Sequence, residues 1–313
     1  MAQDRWGIIY SPKVGVRRSH KRWEKIRTYL EEKQVAYDFV QSEGVGSVER
    51  LTDMLITNGY STIVIVGGDA ALNEALNGLM KAGEDALQRI VLGVIPNGFG
   101  NNFATFWGMD EDDYRSCVDN LIRRRIRLVD VGHCLYQSEQ GTDCGRYFLN
   151  AVNIGLGASI IGITDEARKY IGVKFFAHIL TSIRLLFARK LYKVKAVVNF
   201  EVLEENMVAM CVGSALGYGQ TPNAVPYNGM LDVSVVGSPK NLKQMIHGLY
   251  LLMVGKFLNY KKMRPYRTRV VDVEVANRAR ISVDGQVFKE IKAPLRITIK
   301  QEQVQFIIPS RKD

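Results

Sequence analysis

The sequence has few of the residues that hold small secreted domains or zinc modules together. Only four cysteines occur, Cys117, Cys134, Cys144 and Cys211, and no two of them have the two-residue spacing of a zinc knuckle or a redox motif. The four histidines are scattered and form no HExxH motif. These absences exclude a disulfide framework and a zinc-protease motif, and they favour a reducing cytoplasm.

Long hydrophobic runs are also absent. The longest apolar candidates are residues 171–192, which Lys174 and Arg184 interrupt, and the short run at 249–255. Neither supplies the roughly 20 uninterrupted apolar residues of a membrane-spanning helix. The amino-terminal residues include Asp4 and no long apolar segment, so they do not match a secretory signal.

The composition is that of a globular protein with an excess of basic residues. The chain of 313 residues is 47% hydrophobic and 24% charged, enough for a sizeable core and two domains of ordinary size. Lysine and arginine number 42 against 32 acidic residues, and the formal net charge is +10. This excess favours anionic partners, which include nucleotides, nucleic acids and lipid headgroups.

The first 128 residues alternate short β-branched runs with segments of helical periodicity, the pattern of a parallel sheet covered by helices. In one helical segment, Trp23, Ile26 and Leu30 fall on a single face. We predict four strands and three intervening helices. The predicted strands are residues 6–10, 35–40, 62–66 and 90–95.

Glycine-rich loops follow the third and fourth predicted strands. Gly67, Gly68 and Asp69 come directly after the third, and Gly98 and Gly100 follow the fourth. Ligands of such sheets bind where strands end, because the loops there present backbone N–H groups and a helix dipole. Glycine lets the backbone approach a phosphate, and Asp69 could hold a metal ion or a hydroxyl. The alternative is an ordinary strand-to-helix turn with Asp69 as its N-cap.

These loops resemble motifs of the diacylglycerol kinase catalytic family of lipid kinases. The chain has IVGGDAALNEALNGL and GVIPNGFGNNFATFWG where the family has VVGGDGTxNE-like and IPxGTGNDFA-like loops. IIYSPKVG is similar to the family's Asn-Pro-x-x-Gly start, and SEGVGS occupies the place of a threonine-containing nucleotide loop. The family includes sphingosine and ceramide kinases and is related in fold to NAD kinase and phosphofructokinase. The resemblance covers essentially the whole chain.

The resemblance implies that ATP and Mg²⁺ bind in the amino-terminal half, with Asp69 nearest the transferred phosphate and its metal. The nucleotide-binding residues that it implies are Ser11, Gly15, Ser42, Gly67, Gly68, Asp69, Glu74, Gly98, Gly100 and Asn101.

The second half has a different pattern. Period-two alternation between polar turns predicts an antiparallel β-sandwich, in which KVKAVVNFEVL, LRITI and VQFII are each predicted as one strand. We therefore expect an α/β nucleotide-binding domain over 1–128 and a β-rich lipid domain over 129–313, with the last strand a candidate to return to the first domain. The resemblance places the active site in the cleft between them.

Two helical insertions, at roughly 160–190 and 240–260, interrupt the predicted strands. Both place aromatic and aliphatic residues beside basic ones. That combination suits an interfacial helix on an anionic membrane. The alternative is a core-packing helix with a solvated basic face.

The second half also carries remnants of two acidic family motifs. In PNAVPYNGMLDV, Asn228 stands in for an aspartate and Asp232 is retained as a candidate metal ligand. In ISVDGQVF, Asp284 and Gly285 match the family's Asp-Gly-Glu, and Gln286 replaces the glutamate. The resemblance makes Asp284 the candidate base, with Gln286 positioning the substrate. The alternative for both aspartates is a tight turn.

Several motif positions depart from the family in one direction, since hydroxyls are lost and carboxylates become amides. An amide oxygen can coordinate magnesium but cannot take up a proton near neutral pH. General-base help contributes roughly 10² to 10⁴ in rate, so its loss slows a kinase without abolishing nucleotide binding. The departures are Ala70, Ala71, Phe99, Asn102, Asn228 and Gln286.

The sequence thus predicts a cytoplasmic, peripherally membrane-associated kinase that transfers the γ-phosphate of ATP to a diacylglycerol-like or sphingoid lipid. Two alternatives stay open: a nucleotide- or lipid-binding pseudokinase, and a kinase for a soluble substrate. Nothing resembles a nucleic-acid-reading module. The oligomeric state is open, with a homodimer as one alternative.

Overall fold

The structure is a computed structural model that describes residues 5–12, 17–98, 100–159 and 191–310. It divides into two compact units. Unit 1 comprises Met1–Val131 and Gln301–Asp313, and unit 2 comprises Gly132–Lys300. None of the helices in the described ranges is long and apolar enough to cross a membrane.

Unit 1 contains a parallel sheet in the order β4-β3-β1-β2, with the carboxyl-terminal part of a later strand, β15 (Leu295–Ile307), parallel to β4. The four predicted strands are confirmed. They are β1 (Trp6–Tyr10), β2 (Tyr37–Gln41), β3 (Thr62–Gly67) and β4 (Val91–Pro96).

Helices cover both faces of this sheet. Trp23 of the first helix stacks on Tyr10 at 4.8 Å between ring centroids. A Cβ on Gly7 would lie 3.0 Å from Leu55 of the second helix. Because side chains alternate along a strand, Tyr10 and Gly7 point to opposite faces, so the two helices lie on opposite sides. The helices of unit 1 are α1 (Arg17–Glu32), α2 (Ser47–Thr57), α3 (Asp69–Ala82), α4 (Glu84–Arg89), α5 (Asn102–Phe106) and α6 (Tyr114–Arg123).

The predicted apolar helix face is confirmed, because Trp23, Ile26 and Leu30 are all buried. The expected α/β domain, with three layers formed by a parallel sheet and helices on both faces, is therefore correct. β1, β3 and β4 are buried along their whole length, as their continuous apolar runs indicate, whereas the edge strand β2 is partly exposed.

Unit 2 is built from antiparallel pairs in the order β14-β13-β7-β9-β8-β12-β15, with β10 on β9 and β11 on β10. The predicted β-sandwich is confirmed, and its core consists mainly of valine, leucine, isoleucine and methionine. Its strands include the second half of β5 (Ile126–Gln137), whose first half belongs to unit 1. The others are β6 (Asp143–Phe148), β7 (Ala151–Gly155), β8 (Tyr192–Val198), β9 (Glu201–Gly213), β10 (Leu231–Gly237), β11 (Met263–Thr268), β12 (Val270–Ala276), β13 (Ile281–Val283) and β14 (Gln286–Val287).

Two details differ from the predicted strands. LRITI and VQFII, which we interpreted as two strands, belong to the single strand β15. The polar residues between them continue it, and the N–H of Glu302 donates to Asp130 at 2.9 Å. The run KVKAVVNFEVL, which was predicted as one strand, belongs to two. Asn199 and Phe200 adopt positive φ and form the turn from β8 to β9.

The predicted helical insertion near 240–260 contains α7 (Leu242–Met253) and a short 3₁₀ turn (Phe257–Asn259). The other insertion, at 160–190, lies outside the described residues.

Candidate active site

The loops that follow the parallel strands of unit 1 meet at one edge of its sheet. Ser11 follows β1 and Ser42 follows β2, and the hydroxyl of Ser42 donates to that of Ser11 at 3.2 Å. A Cβ on Gly67, at the end of β3, would lie 3.2 Å from the Cβ of Ser11. The predicted nucleotide residues on three different strands are thus neighbours. Gly15 lies outside the described residues.

The two glycine loops are packed against each other through their backbones. A Cβ on Gly98 would lie 2.1 Å from the Cα of Gly68, and a Cβ on Gly68 would lie 2.7 Å from the carbonyl oxygen of Gly100. The N–H of Asp69 donates to that same carbonyl at 2.8 Å. Glycine is required here by space rather than by φ, because Gly68 is in the extended region at φ −111°.

Asp69 joins the two loops through its side chain. It begins α3, and its carboxylate accepts backbone N–H groups of Asn102 at 2.8 Å and Phe103 at 3.1 Å. The side-chain amide of Asn102 donates to the same carboxylate at 3.0 Å. Asp69 is buried. Its charge therefore stabilises the first turn of α5 and holds the second glycine loop against the first.

Asn101 shapes the second glycine loop internally. Its side chain accepts from the N–H of Gly98 and donates to the carbonyl of Gly98, both at 3.1 Å. The same amide donates to Glu111 at 3.1 Å. Asn101 thus positions the loop, and it ties the loop to the segment before α6.

Arg22, a buried arginine that the sequence analysis missed, also stabilises this loop. Arg22 of α1 donates to Asn97 at 3.2 Å and to Asp112 at 2.8 Å. Asn97 is fully buried at the end of β4. In the sequence, Arg22 is one of several basic residues of α1, so nothing local marks it as buried.

Glu74 has a distinct set of contacts. Its carboxylate accepts the N–H of Gly46 at 2.9 Å and the N–H of Val48 at 3.1 Å, at the start of α2. Gly46 itself is left-handed, with φ +82°. Glu74 therefore caps α2 and holds the SEGVGS loop, which carries Ser42, near the end of β3.

The alanines that replace the family's Gly-Thr lie in a regular helix. Ala70 and Ala71 occupy the first turn of α3, and neither has a positive φ. A methyl group at Ala70 therefore carries no left-handed backbone penalty. The methyl of Ala71 is buried and fills the space beside Gly67, at 3.0 Å from a Cβ placed there. Phe99, the other departure of these loops, lies outside the described residues.

In unit 2, Asp284 occupies a hairpin turn between β13 and β14. Asp284 and Gly285 have φ values of +45° and +78°. The buried carboxylate of Asp284 accepts three backbone N–H groups, those of Leu149 at 2.8 Å, Asn150 at 2.8 Å and Ala151 at 3.0 Å. These contacts bind the hairpin to the start of β7. Such a carboxylate is well suited to positioning.

Gln286 follows this turn as the first residue of β14. A Cβ on Gly285 would lie 2.4 Å from the hydroxyl of Tyr218, so that hydroxyl lies against the turn. Tyr218 has φ +59°, an uncommon conformation for an aromatic residue. The sequence analysis did not select Tyr218, and no local pattern distinguishes it.

Asp232 on β10 is paired with Arg267, which lies directly opposite on β11. The guanidinium donates to the two carboxylate oxygens at 2.7 and 3.1 Å. This hydrogen bond raises the pKa of Arg267. Because the charge of Asp232 is already offset, the pairing favours a structural role over metal binding. Asn228 is exposed, and its side chain accepts the N–H of Met230 at 2.9 Å, as in a polar turn.

The possible metal ligands do not form a cage. No group of three or more histidine, cysteine, aspartate or glutamate side chains suited to a metal occurs within residues 5–12, 17–98, 100–159 and 191–310. Burial raises the pKa of Cys117, Cys134 and Cys211 to about 12, which keeps these thiols protonated. These three cysteines therefore supply no thiolate to the candidate site. Mg²⁺ usually takes one or two carboxylates together with substrate phosphates, so Asp69 by itself fits that requirement.

Comparison with known proteins gives matches to both halves of the chain. A model of the diacylglycerol kinase catalytic domain matches residues 5–134, and a model of the YegS C-terminal NAD kinase beta sandwich-like domain matches residues 150–308. A Shewanella frigidimarina protein named probable lipid kinase YegS-like is 24% identical over 268 residues, which cover 81% of this chain and 78% of that protein.

Two further relatives span more of the chain. A Staphylococcus saprophyticus protein named diacylglycerol kinase is 23% identical over 283 residues, covering 89% of this chain and 88% of that protein. The crystal structure of a diacylglycerol kinase from Bacillus anthracis superposes with a TM-score of 0.71 at 19% identity, over 98% of each chain. The last likeness concerns the fold.

Proposed function

Because this chain belongs to the diacylglycerol kinase catalytic-domain family, we propose that it transfers the γ-phosphate of ATP to the hydroxyl of a diacylglycerol-like or sphingoid lipid. The observation that carries this proposal is the meeting of the four strand-end loops of unit 1. Two of these loops are glycine loops in backbone contact, and Asp69 joins them. The N-terminus of a helix is a favourable binding site for phosphate, because its first backbone N–H groups have no partner within the helix.

The nucleotide phosphates would lie against the loops that carry Ser11, Ser42, Gly68 and Gly98. The N-terminus of α3 faces the same loops and offers its dipole to the anion. Asn101 and Glu74 accept backbone N–H groups, and Arg22 donates to the side chain of Asn97, so each of the three holds one loop in place. The site is thus preorganised by side chains that need not touch the nucleotide.

Mg²⁺ would be held by Asp69 and the phosphate oxygens. When bound, the ion offsets the charge of the triphosphate and polarises the phosphoryl oxygen. Asp232 is the weaker candidate ligand, since the positive charge of Arg267 already offsets the charge of its carboxylate. Asp69 must keep its bonds to α5 while it contacts the ion, which is compatible with a carboxylate that has several lone pairs.

The lipid hydroxyl oxygen forms a bond to the γ-phosphorus, and the bond from that phosphorus to the β-γ bridging oxygen breaks, so ADP leaves. The hydroxyl proton needs an acceptor, and Gln286 cannot serve. In this proposal Asp284 receives it. Transfer to Asp284 competes with the three N–H bonds that its oxygens already accept. We therefore expect slow turnover.

The test is transfer of labelled γ-phosphate from ATP to a panel of lipids, by the wild type, Asp69→Asn and the control Asp53→Asn, which changes an exposed carboxylate of α2. The proposal is supported if the wild type and Asp53→Asn form labelled lipid and Asp69→Asn does not. Soluble acceptors in the same assay test a kinase of soluble substrates.

The pseudokinase alternative is favoured by one observation: both carboxylate oxygens of Asp69, and both of Asp284, already accept backbone N–H groups. It predicts that ATP raises the melting temperature while no acceptor is labelled. That result would overturn the transfer reaction and leave nucleotide binding.

A further inference from the structure

α7 has one face in the interior of unit 2 and a second face that carries large apolar side chains. Met245 and Leu251 are buried, and Leu251 belongs to a cluster with Phe257 and Met263. On the other face, large apolar residues recur at every fourth position, and the spacing continues beyond the helix. We name this set the α7 stripe: Leu242, Ile246, Tyr250, Val254 and Leu258.

The α7 stripe is well exposed. The exposed fraction of its members runs from 38% for Leu258 to 60% for Tyr250. Single apolar residues on a surface are ordinary, but a continuous row along one helix face is typical of an interaction surface. A solvated helix face would instead carry polar residues at this spacing.

The chain segment that carries the α7 stripe has charged residues of one sign. No acidic residue occurs between Asp232 and Asp272. Lys243, Lys256 and Lys261 are exposed and form no ion pair within the ranges that the structure describes. The basic residues of this interval are Lys240, Lys243, Lys256, Lys261, Lys262, Arg264, Arg267 and Arg269.

These two observations identify the occupant. An apolar row beside unpaired lysines matches the boundary between acyl chains and anionic headgroups, where apolar side chains insert and lysines contact phosphate. A second copy of this chain would match poorly, because a two-fold interface would set the same lysines against each other. We propose that the α7 stripe inserts into the headgroup region of an anionic lipid bilayer.

The inference rests on the proposed function in one respect, since a lipid kinase must reach a substrate that resides in a bilayer. The stripe would bring unit 2 to that surface. Lys243 and Lys256, which lie on either side of its centre, would supply the electrostatic attraction. Ile246 and Tyr250 would supply the apolar insertion.

Vesicle sedimentation tests this directly, with full-length protein and vesicles of phosphatidylcholine with or without phosphatidylglycerol. The wild type should bind the anionic vesicles and should not bind the neutral ones. Ile246→Ser/Tyr250→Ser should lower the partition coefficient by about tenfold or more. Lys243→Gln/Lys256→Gln should lower it by a similar factor and reduce its dependence on salt.

Matched controls change the same residue types elsewhere on the surface. Ile122→Ser/Val202→Ser removes two exposed apolar side chains, and Lys81→Gln/Lys289→Gln removes two exposed charges. Both control proteins should bind as the wild type does. The proposal would be overturned if the partition coefficient fell equally in the stripe and control variants, or if it did not fall in the stripe variants.

Two further measurements separate other outcomes. Phosphorylation of a short-chain, monomeric diacylglycerol should be unchanged in the stripe variants. If neither the wild type nor any variant phosphorylates this lipid, but vesicle binding changes as described above, the proposed function is wrong and the membrane-binding role of the α7 stripe is supported. The wild type could instead fail to bind anionic vesicles and form a dimer that Ile246→Ser/Tyr250→Ser dissociates. In that case the α7 stripe is a self-association surface and the proposal is wrong.

Discussion

Asn102 donates two hydrogen bonds to one carboxylate oxygen of Asp69, from its backbone N–H at 2.8 Å and from its side-chain amide at 3.0 Å. Asn102 occupies a position where the family has an aspartate. An aspartate there could not donate through its side chain, and it would bring a second negative charge beside the first. The amide at 102 is thus matched to the buried charge of Asp69.

Asn102→Asp should therefore lower the free energy of unfolding by about 1 to 3 kcal/mol, because a buried acceptor loses its donor and gains a like charge. Urea unfolding followed by tryptophan fluorescence measures this. The control Asn102→Ala removes the donor without adding charge and should be less destabilised. An Asn102→Asp protein as stable as the wild type would contradict this account.

Gly98→Ala should lower the free energy of unfolding by about 2 kcal/mol or more, since its methyl would collide with the backbone of Gly68. Backbone atoms of a packed loop cannot move aside as a flexible side chain can. The control is Gly44→Ala, where a Cβ meets nothing within 4 Å. Thermal unfolding with and without ATP should show a large loss in the first variant and little change in the second.

Asp284→Asn separates a positioning role from a proton-accepting one. If the carboxylate chiefly holds the backbone of residues 149–151, the change should lower the free energy of unfolding by about 1.5 to 3 kcal/mol. The control Asp272→Asn affects a half-exposed pair with Arg296 and should matter little.

The kinetic counterpart of that experiment concerns the folded Asp284→Asn protein. Turnover that falls by roughly 10² or more at unchanged stability would identify Asp284 as the proton acceptor. A stability loss with turnover close to that of the wild type would identify it as a positioning residue.

Gln286→Glu should raise the rate of phosphoryl transfer, because it restores a carboxylate beside the Asp284 turn that can accept the hydroxyl proton. An increase of about tenfold or more in kcat, with KM for ATP unchanged, is the expected result. Gln301→Glu adds the same charge at an exposed position and should have no effect. An unchanged kcat in Gln286→Glu would show that the missing carboxylate does not limit the enzyme.

Most secondary structure could be read from local pattern. The strands of unit 1 appear as short β-branched runs because both faces of a parallel sheet are covered, and the buried face of α1 appears as Trp23, Ile26 and Leu30. One error concerned a turn within an apparently continuous run, at Asn199 and Phe200, and the other concerned polar residues that do not end a strand. Residues 300–303 are polar and still belong to β15, although Glu302 adopts φ +51°, because a strand that changes neighbours along its length need not bury every side chain.

The candidate site was predictable in position but less so in the roles of its residues. The glycines of the two loops follow their strands in sequence, so their meeting at the sheet edge follows from parallel topology. Arg22 and Tyr218 were missed, since their importance depends on partners far along the chain.

The sequence by itself determined the order of strands and helices, the family and the positions of the two glycine loops, because hydrophobic period and glycine placement are local properties. Only the tertiary structure decided what each carboxylate does: Asp69 holds α5, Glu74 caps α2, Asp232 pairs with Arg267, and Asp284 binds the start of β7. A carboxylate's role depends on which donors surround it, and folding brings those donors from segments that are distant in the chain.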